Sequence, residues 1–296
     1  MKDHETLPMI PIRSRLGASW LEDYDGKRYL DAISSWWVNL FGHANRAISA
    51  AIARAARRAR ARDARRLHAR AGGAALPSAC SALAPRGLTR CFYADSGSAA
   101  VEVALKMSFH YWRNRGRGQA AGSSRLPNSY HGETLGALAV GNVALYREIY
   151  RPLLMDVITR AVARLLPARA RRELGSAHAA HVRRDGADAR RSTRDETCAV
   201  IVEPLVQCAG SMRMYHPVYL ESAARRVRPP RRAPDRRRDR GRASDARARS
   251  SPASRRGITP DFLCLSKGLT GGYLPLSVVL TDERCLRARS TTSTRS

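Results

Sequence analysis

The sequence predicts an α/β fold, on three observations. Phe262-Leu263-Cys264-Leu265 is a short apolar run of strand length, closed by Ser266 and followed at once by Lys267, Gly268, Gly271 and Gly272. Thr197 to Leu205 (T-C-A-V-I-V-E-P-L) is a second buried strand, ending in Glu203-Pro204. Cys91 to Met107 reads as strand, small-residue turn and helix. In α/β proteins, ligands bind where strands of the sheet end.

Lys267 draws attention because lysine is rare here. The chain has four lysines (Lys2, Lys27, Lys106, Lys267) against 49 arginines. A lysine just past a buried strand, walled by small residues, suits an amine whose pKa is lowered so that it forms a Schiff base. It equally suits a lysine that ends a strand and points into water. The glycines beside it let the backbone turn tightly and approach another molecule closely.

Taken in order, Leu21 to Asp31 alternates around Asp25-Gly26, a hairpin signal. Trp36 and Trp37 follow among small polar residues, as a pocket wall or as core or interface packing. Residues 53–87 lose apolar periodicity in an arginine–alanine block, where alanine favours helix but little can bury a face. In the next ordered stretch, Gly97 and Ser98 start a helix, where free N–H groups and the dipole suit an anion such as phosphate; a plain N-cap is the alternative. Residues 119–127 read as a short loop, and patterning resumes from Asn128-Ser129-Tyr130-His131-Gly132-Glu133 to about Ile158. Residues 159–193 are again rich in arginine and alanine. Glu203 sits where ligands bind at a strand end, or is a strand-end charge held by a neighbouring donor. Val206 to Leu220 reads as loop and helix start. Residues 223–256 hold 14 arginines in 34 positions, and Arg284 to Ser296 is an Arg/Ser/Thr tail.

With 296 residues, 44% of them hydrophobic, the chain has material for one large domain or two. Its net charge of +28 directs attention to nucleic acid. Yet the basic blocks lack the interleaved aromatics that stack on bases, and no recognised nucleic-acid motif is present, so this reading ranks last. Six cysteines without C-x-x-C spacing fit buried free thiols in a reducing compartment, with no metal expected. No signal peptide and no membrane-length apolar run are seen, and a cytoplasmic protein is expected.

The ordered stretches together resemble the class III aminotransferases, which use pyridoxal 5'-phosphate (PLP). They are D-G-K-R-Y-L-D-A-I-S-S-W-W, F-Y-A-D-S-G-S-A-A-V-E-V-A-L-K-M, N-S-Y-H-G-E-T-L-G-A, A-V-I-V-E-P-L-V-Q-C-A-G-S-M-R-M-Y-H-P and D-F-L-C-L-S-K-G-L-T-G-G. With their flanks they cover more than half of the chain, in the family's order and near its spacing. The resemblance implies fold-type I: a three-layer αβα large domain with a mostly parallel sheet, incomplete here, with the arginine-rich segments irregular. It implies that Lys267 is the catalytic Schiff-base lysine, which also moves a proton between substrate and cofactor. Gly97 and Ser98 would bind the phosphate. Tyr130 would stack on the cofactor and line the substrate site with Trp36 and Lys267, and Trp37 and Glu203 would support them. S-S-W-W and M-R-M-Y-H-P favour 8-amino-7-oxononanoate as amino acceptor and S-adenosylmethionine as donor, giving 7,8-diaminononanoate in biotin biosynthesis, over ornithine or 4-aminobutyrate as substrate. A homodimer is implied.

The implied layout is 1–44 as the N-terminal segment of a small domain, 45–283 as the PLP-binding domain, 284–296 as an aberrant tail, and no C-terminal small domain. Within 45–283, residues 53–87, 119–127, 159–193 and 223–256 depart from the family. The family also sets an aspartate against the pyridine nitrogen of PLP, from a buried strand reading like L-I-A-D-E-I. That aspartate falls on Arg237/Arg238, within R-R-A-P-D-R-R-R-D-R. Arg232 to Arg240 is encoded by CGT GCA CCT GAT CGC CGA CGA GAT CGC under one permitted codon choice; a shift of one base reads V-H-L-I-A-D-E-I. The arginine-rich blocks are therefore expected to be frame-shifted stretches of an aminotransferase gene, and this chain to be impaired or inactive.

Overall fold

The computed structural model describes residues 10–15, 17–58, 78–80, 82–85, 87–117, 122–159, 197–215, 220, 243–245 and 260–287. The chain divides into two compact units, Met1–Arg70 with Lys267–Pro275, and Ala71–Ser266 with Leu276–Ser296.

The first unit opens with an antiparallel sheet of β1 (Ile12–Arg15), β2 (Trp20–Asp23) and β3 (Arg28–Leu30), in that order. The Asp-Gly turn joins β2 to β3, as its sequence predicts. Asp23 holds it, accepting the N–H groups of Asp25 and Lys27 at 3.0 and 2.9 Å and the Tyr29 hydroxyl at 2.8 Å. The chain then makes a left-handed turn: Ser34, Ser35, Trp36 and Trp37 have φ of 52, 48, 62 and 64°. In an L-residue this conformation presses Cβ on the carbonyl, at roughly 1–2 kcal/mol per residue, so the turn needs an outside hold. Next, α1 (Arg46–Arg58) is capped by Asn45, whose Oδ1 accepts from Ala47 and Ile48. It carries helix through the first residues of the arginine–alanine block; residues 59–77 lie outside the described residues.

The second unit contains β4 (Arg90–Ala94), α2 (Gly97–Arg113), β5 (Gly122–Arg125), α3 (Leu135–Val140), α4 (Ala144–Arg147), β6 (Val157–Thr159) and β7 (Thr197–Val200). A short hairpin of β8 (Val206–Gln207) and β9 (Arg213–Met214) follows, then β10 (Ala243–Asp245), β11 (Phe262–Leu265), β12 (Ser277–Thr281) and α5 (Glu283–Arg287). Strands β6-β5-β7 form a parallel sheet. A second sheet has the order β10-β11-β12-β4, in which β12 is antiparallel to both neighbours, so β4, β10 and β11 run one way. Across the two sheets three of the five pairings are parallel, mostly parallel as expected. The central strands of the second sheet are apolar along their length because both faces are covered: Phe262, Val278, Val279 and Leu280 are fully buried. Helix α2 packs Ala100, Val101, Ala104 and Leu105 into the core with Cys198, Ile201, Phe262 and Val279. The six cysteines are free thiols, four of them buried. Burial pushes the Cys285 thiol up to about 12.

Three expectations need correction. Residues 122–125, read as loop, are β5, the middle strand of the parallel sheet, with Ser123, Ser124 and Arg125 buried. Pairing on both edges overrides the weak strand preference of G-S-S-R. The Arg125 guanidinium is satisfied by the carbonyls of Ala139 and Gly141, and burial together with nearby Arg147 lowers its pKa to about 10. Second, the arginine-rich blocks are not wholly irregular. Residues 53–58 are helical, and Ala243–Asp245 forms β10, paired in parallel with β11. Third, the tail begins as helix α5, pinned by ion pairs from Arg284 to Asp261 and Asp282. The expected site of the missing aspartate, Arg237/Arg238, and nearly all of 159–193 lie outside the described residues.

Candidate active site

In the second unit, four of the expected site residues come together where strands end. At the end of β4 the chain turns through Asp95 and Ser96 into α2. Ser96 is the N-cap: its Oγ accepts from Ala99 N–H at 3.2 Å and its carbonyl from Ala100 N–H at 3.0 Å. The N–H groups of Gly97 and Ser98 have no capping partner among the described residues, and the first turn holds no acidic residue. A plain cap and two uncapped N–H donors thus coexist, one residue apart. Gly97 also lies against the end of β11, where an added Cβ would come within 3.4 Å of Ser266 Cβ.

The loop after β5 is laid over this helix end. Ser98 Oγ accepts from Glu133 N–H at 3.1 Å. Gly132 has φ +131°, and an added Cβ there would overlap Ser98. Tyr130 N–H donates to Glu203 Oε2 at 3.0 Å, its hydroxyl donates to Glu133 Oε1 at 2.9 Å, and its ring meets Tyr146 edge-on at 5.4 Å. Glu203 is 1% exposed, and its carbonyl accepts from the Tyr215 hydroxyl. Glu102 on α2 caps α3 from outside, accepting from Thr134 Oγ1 and from the N–H groups of Gly136 and Ala137.

Lys267, Trp36 and Trp37 belong to the first unit, and the division falls at the peptide bond between Ser266 and Lys267. Lys267–Leu269 forms a 3₁₀ turn. The molecule that its glycines approach is this same chain. A Cβ on Gly268, Gly271 or Gly272 would lie 3.0, 2.5 or 2.9 Å from side-chain atoms of Leu40, Phe41 or Val38. Tyr273 fastens the loop: its hydroxyl donates to Gly42 O at 2.7 Å and accepts from Asn45 N–H at 2.6 Å. Trp36 is 60% and Trp37 38% exposed, with ring centroids 6.2 Å apart at 72°. Below them Asp31 accepts from Ser35 N–H at 2.9 Å and Ser35 Oγ at 2.8 Å, and pairs with His43 Nε2 at 2.8 Å. These bonds, that from Ser35 N–H foremost, hold the Asp31 carboxyl below the usual aspartate range.

Comparison with known proteins gives this geometry its context. The family model for Aminotransferase class-III matches residues 1–227. The chain belongs to the class III aminotransferases. It is 40% identical, over 96% of its length and 62% of the relative's, to the adenosylmethionine-8-amino-7-oxononanoate aminotransferase of Helicobacter pylori. It is 39% identical to the enzyme of the same name from Synechococcus elongatus, over 88% of this chain and 59% of that one. It thus spans about three fifths of the length of these relatives. Among solved structures, the Methanocaldococcus jannaschii enzyme of that name superposes with a TM-score of 0.74 at 26% identity, over 97% of this chain and 63% of that one. A PLP-bound amine transaminase from an uncultivated Pseudomonas species gives 0.75 at 25% identity, over 95% and 63% of the two chains. The fold is that of these PLP-dependent transaminases, fold-type I.

PLP is the cofactor of this family, and the described residues of this class III aminotransferase fit its phosphate. Two N–H donors at the start of a 17-residue helix, with no acidic residue in its first turn, suit a dianion. Reading the sequence missed the parts that hold the site together: Ser96, Glu102, Gly132, Glu133 and Tyr215, and in the first unit Asp31 and His43. Gly132, a lone glycine between His131 and Glu133, was the available signal. Glu102 gave none, because two of its three partners are backbone N–H groups more than 30 residues away.

Proposed function

We propose that this chain is the PLP-binding part of an aminotransferase that moves an amino group from S-adenosylmethionine to 8-amino-7-oxononanoate, giving 7,8-diaminononanoate in biotin biosynthesis. The names of its relatives support the substrate, and the S-S-W-W and M-R-M-Y-H-P stretches agree with it. The observation that carries the cofactor reading is the pair of uncapped N–H groups on Gly97 and Ser98, held beside Ser266, whose next residue is Lys267.

In this reading Gly97 and Ser98 N–H take the phosphate. Lys267 would hold the cofactor through its amine and, once the substrate amine had displaced it, would carry a proton to and from the substrate α-carbon. Tyr130 would stack on the cofactor ring and help line the substrate site, as would Trp36, with Trp37 in support. Glu203 holds the Tyr130 backbone in place, and Glu133 its hydroxyl. The cofactor supplies an electron sink for the developing carbanion. Arginine at the position expected for the ring-nitrogen carboxylate predicts weak cofactor binding and little or no turnover. The exposed Trp36, Leu40 and Phe41 suit a homodimer, and the expected compartment is the cytoplasm. No helix among the described residues is long and apolar enough to cross a membrane.

The test is spectroscopic. The purified chain mixed with PLP is expected to show the band of a lysine-bound cofactor. Borohydride should bleach it and leave the added mass on the peptide containing Lys267, and Lys267→Ala should lack both. Equal labelling of Lys27 or Lys106 would refute the assignment.

A further inference from the structure

Four consecutive residues without glycine, Ser34 to Trp37, have positive φ. Their own backbone bonds are few: Ser34 N–H to Asp31 O at 3.2 Å, Trp37 N–H to Ile33 O at 3.0 Å, and Val38 and Asn39 N–H both to Ser34 O at 3.0 Å. What holds them is Asp31. Its two oxygens take the N–H and the hydroxyl of Ser35, the second residue of the run, and one of them also meets His43 Nε2. The side chains of Asp31 and His43 are 5% and 6% exposed. His43 is itself fixed, since its N–H donates to Ala18 O at 2.6 Å, and the adjoining Gly42 carbonyl accepts the Tyr273 hydroxyl. Asp31 N–H donates to Ser19 O at 2.7 Å. The carboxylate is therefore clamped between the β-sheet end and residues 42–45, and it grips a turn that would otherwise relax.

We propose that Asp31, braced by His43, is a positioning residue that holds the left-handed turn and so sets the direction in which Trp36 and Trp37 face the substrate. The role for substrate rests on the reading of Trp36 as a wall of the substrate site; the role for the turn does not. A left-handed run with no side-chain grip populates its bound form only part of the time, and apparent affinity falls by that fraction.

The experiment uses the full chain and needs no turnover. Two indoles 6.2 Å apart at 72° give an exciton couplet in far-ultraviolet circular dichroism. Trp36→Phe assigns it by removing it. Asp31→Ala is expected to abolish the couplet while the helical signal persists, and to weaken 8-amino-7-oxononanoate binding, read by tryptophan quenching, by about tenfold if the turn is populated a tenth of the time. Placing glycine at Ser34 and Ser35, which accept positive φ without strain, should restore much of the couplet in the Asp31→Ala background. If Asp31→Ala does not fold, Ser35→Ala, which deletes only the hydroxyl bond, carries the test, with a diminished couplet expected. An unchanged couplet in the folded variants overturns the proposal. A lost couplet with unchanged affinity upholds the grip on the turn and refutes the substrate role of Trp36.

Discussion

Gly132→Ala separates two costs that are usually confounded. At φ +131° any side chain is strained, and here an added Cβ would also overlap Ser98, including its Cα at 2.8 Å. Backbone cannot swing aside as a side chain does. Gly116 is the control: its φ is +74°, and nothing lies within 4 Å of an added Cβ. Alanine at Gly116 is expected to destabilise the fold by roughly 1–2 kcal/mol, the cost of a left-handed L-residue. Alanine at Gly132 should cost a similar amount plus about 1–3 kcal/mol for the overlap, or about 2–5 kcal/mol in all. Urea unfolding followed by near-ultraviolet dichroism measures both, with slopes of about 1–3 kcal/mol per molar for small proteins. Gly132→Ala should also weaken binding of inorganic phosphate, because the loop it displaces covers Ser98, whereas Gly116→Ala should not. Equal destabilisation by the two substitutions would refute the view that the loop is seated on the helix end.

Phe262→Ala, at a fully buried position of β11, should destabilise by about 3–5 kcal/mol, measured in the same unfolding experiment. Trp112→Phe deletes an indole N–H that donates to the Cys198 carbonyl at 2.8 Å in the core, and should cost about 1–3 kcal/mol. The Asp31 carboxyl titrates below its usual value in the folded chain, so its contribution is present above the unfolded pKa and is lost as pH falls through the folded one. The tryptophan couplet should therefore fade as pH falls through the titration of the folded carboxyl, which lies below that of a free aspartate, and Asp31→Asn should remove that transition. Glu102→Ala leaves the start of α3 uncapped and should cost about 1–2 kcal/mol, with faster amide exchange at Gly136 and Ala137.

The legible part of the fold was what local pattern determines. The Asp25-Gly26 hairpin, the Ser96-to-Met107 helix start and the apolar β11 each depend on residues close in sequence, so periodicity and turn chemistry found them. The resemblance pointed to Lys267, Gly97, Ser98, Tyr130 and Glu203, and the structure brings the last four together in one unit. What stayed hidden depends on distant pairing. Gly122–Arg125 looks like a loop because its strand character comes from β6 and β7 on either side. Ala243–Asp245 likewise owes its conformation to β11. The grip of Asp31 on Ser35 was hidden for another reason: nothing in S-S-W-W announces a left-handed backbone without glycine.

The docking of the glycine loop also dictates an order of events in synthesis. Val38, Leu40 and Phe41 rest on Gly272, Gly268 and Gly271, and Tyr273 bonds to groups 228 and 231 residues earlier in the chain. A ribosome making about 5–20 residues per second therefore holds the first fifty residues without their partner for on the order of ten seconds or more. During that time Val38, Leu40 and Phe41 have no loop to pack against. The N-terminal end of this protein is finished last, and a nascent chain stalled before Tyr273 would offer that apolar ledge to chaperones.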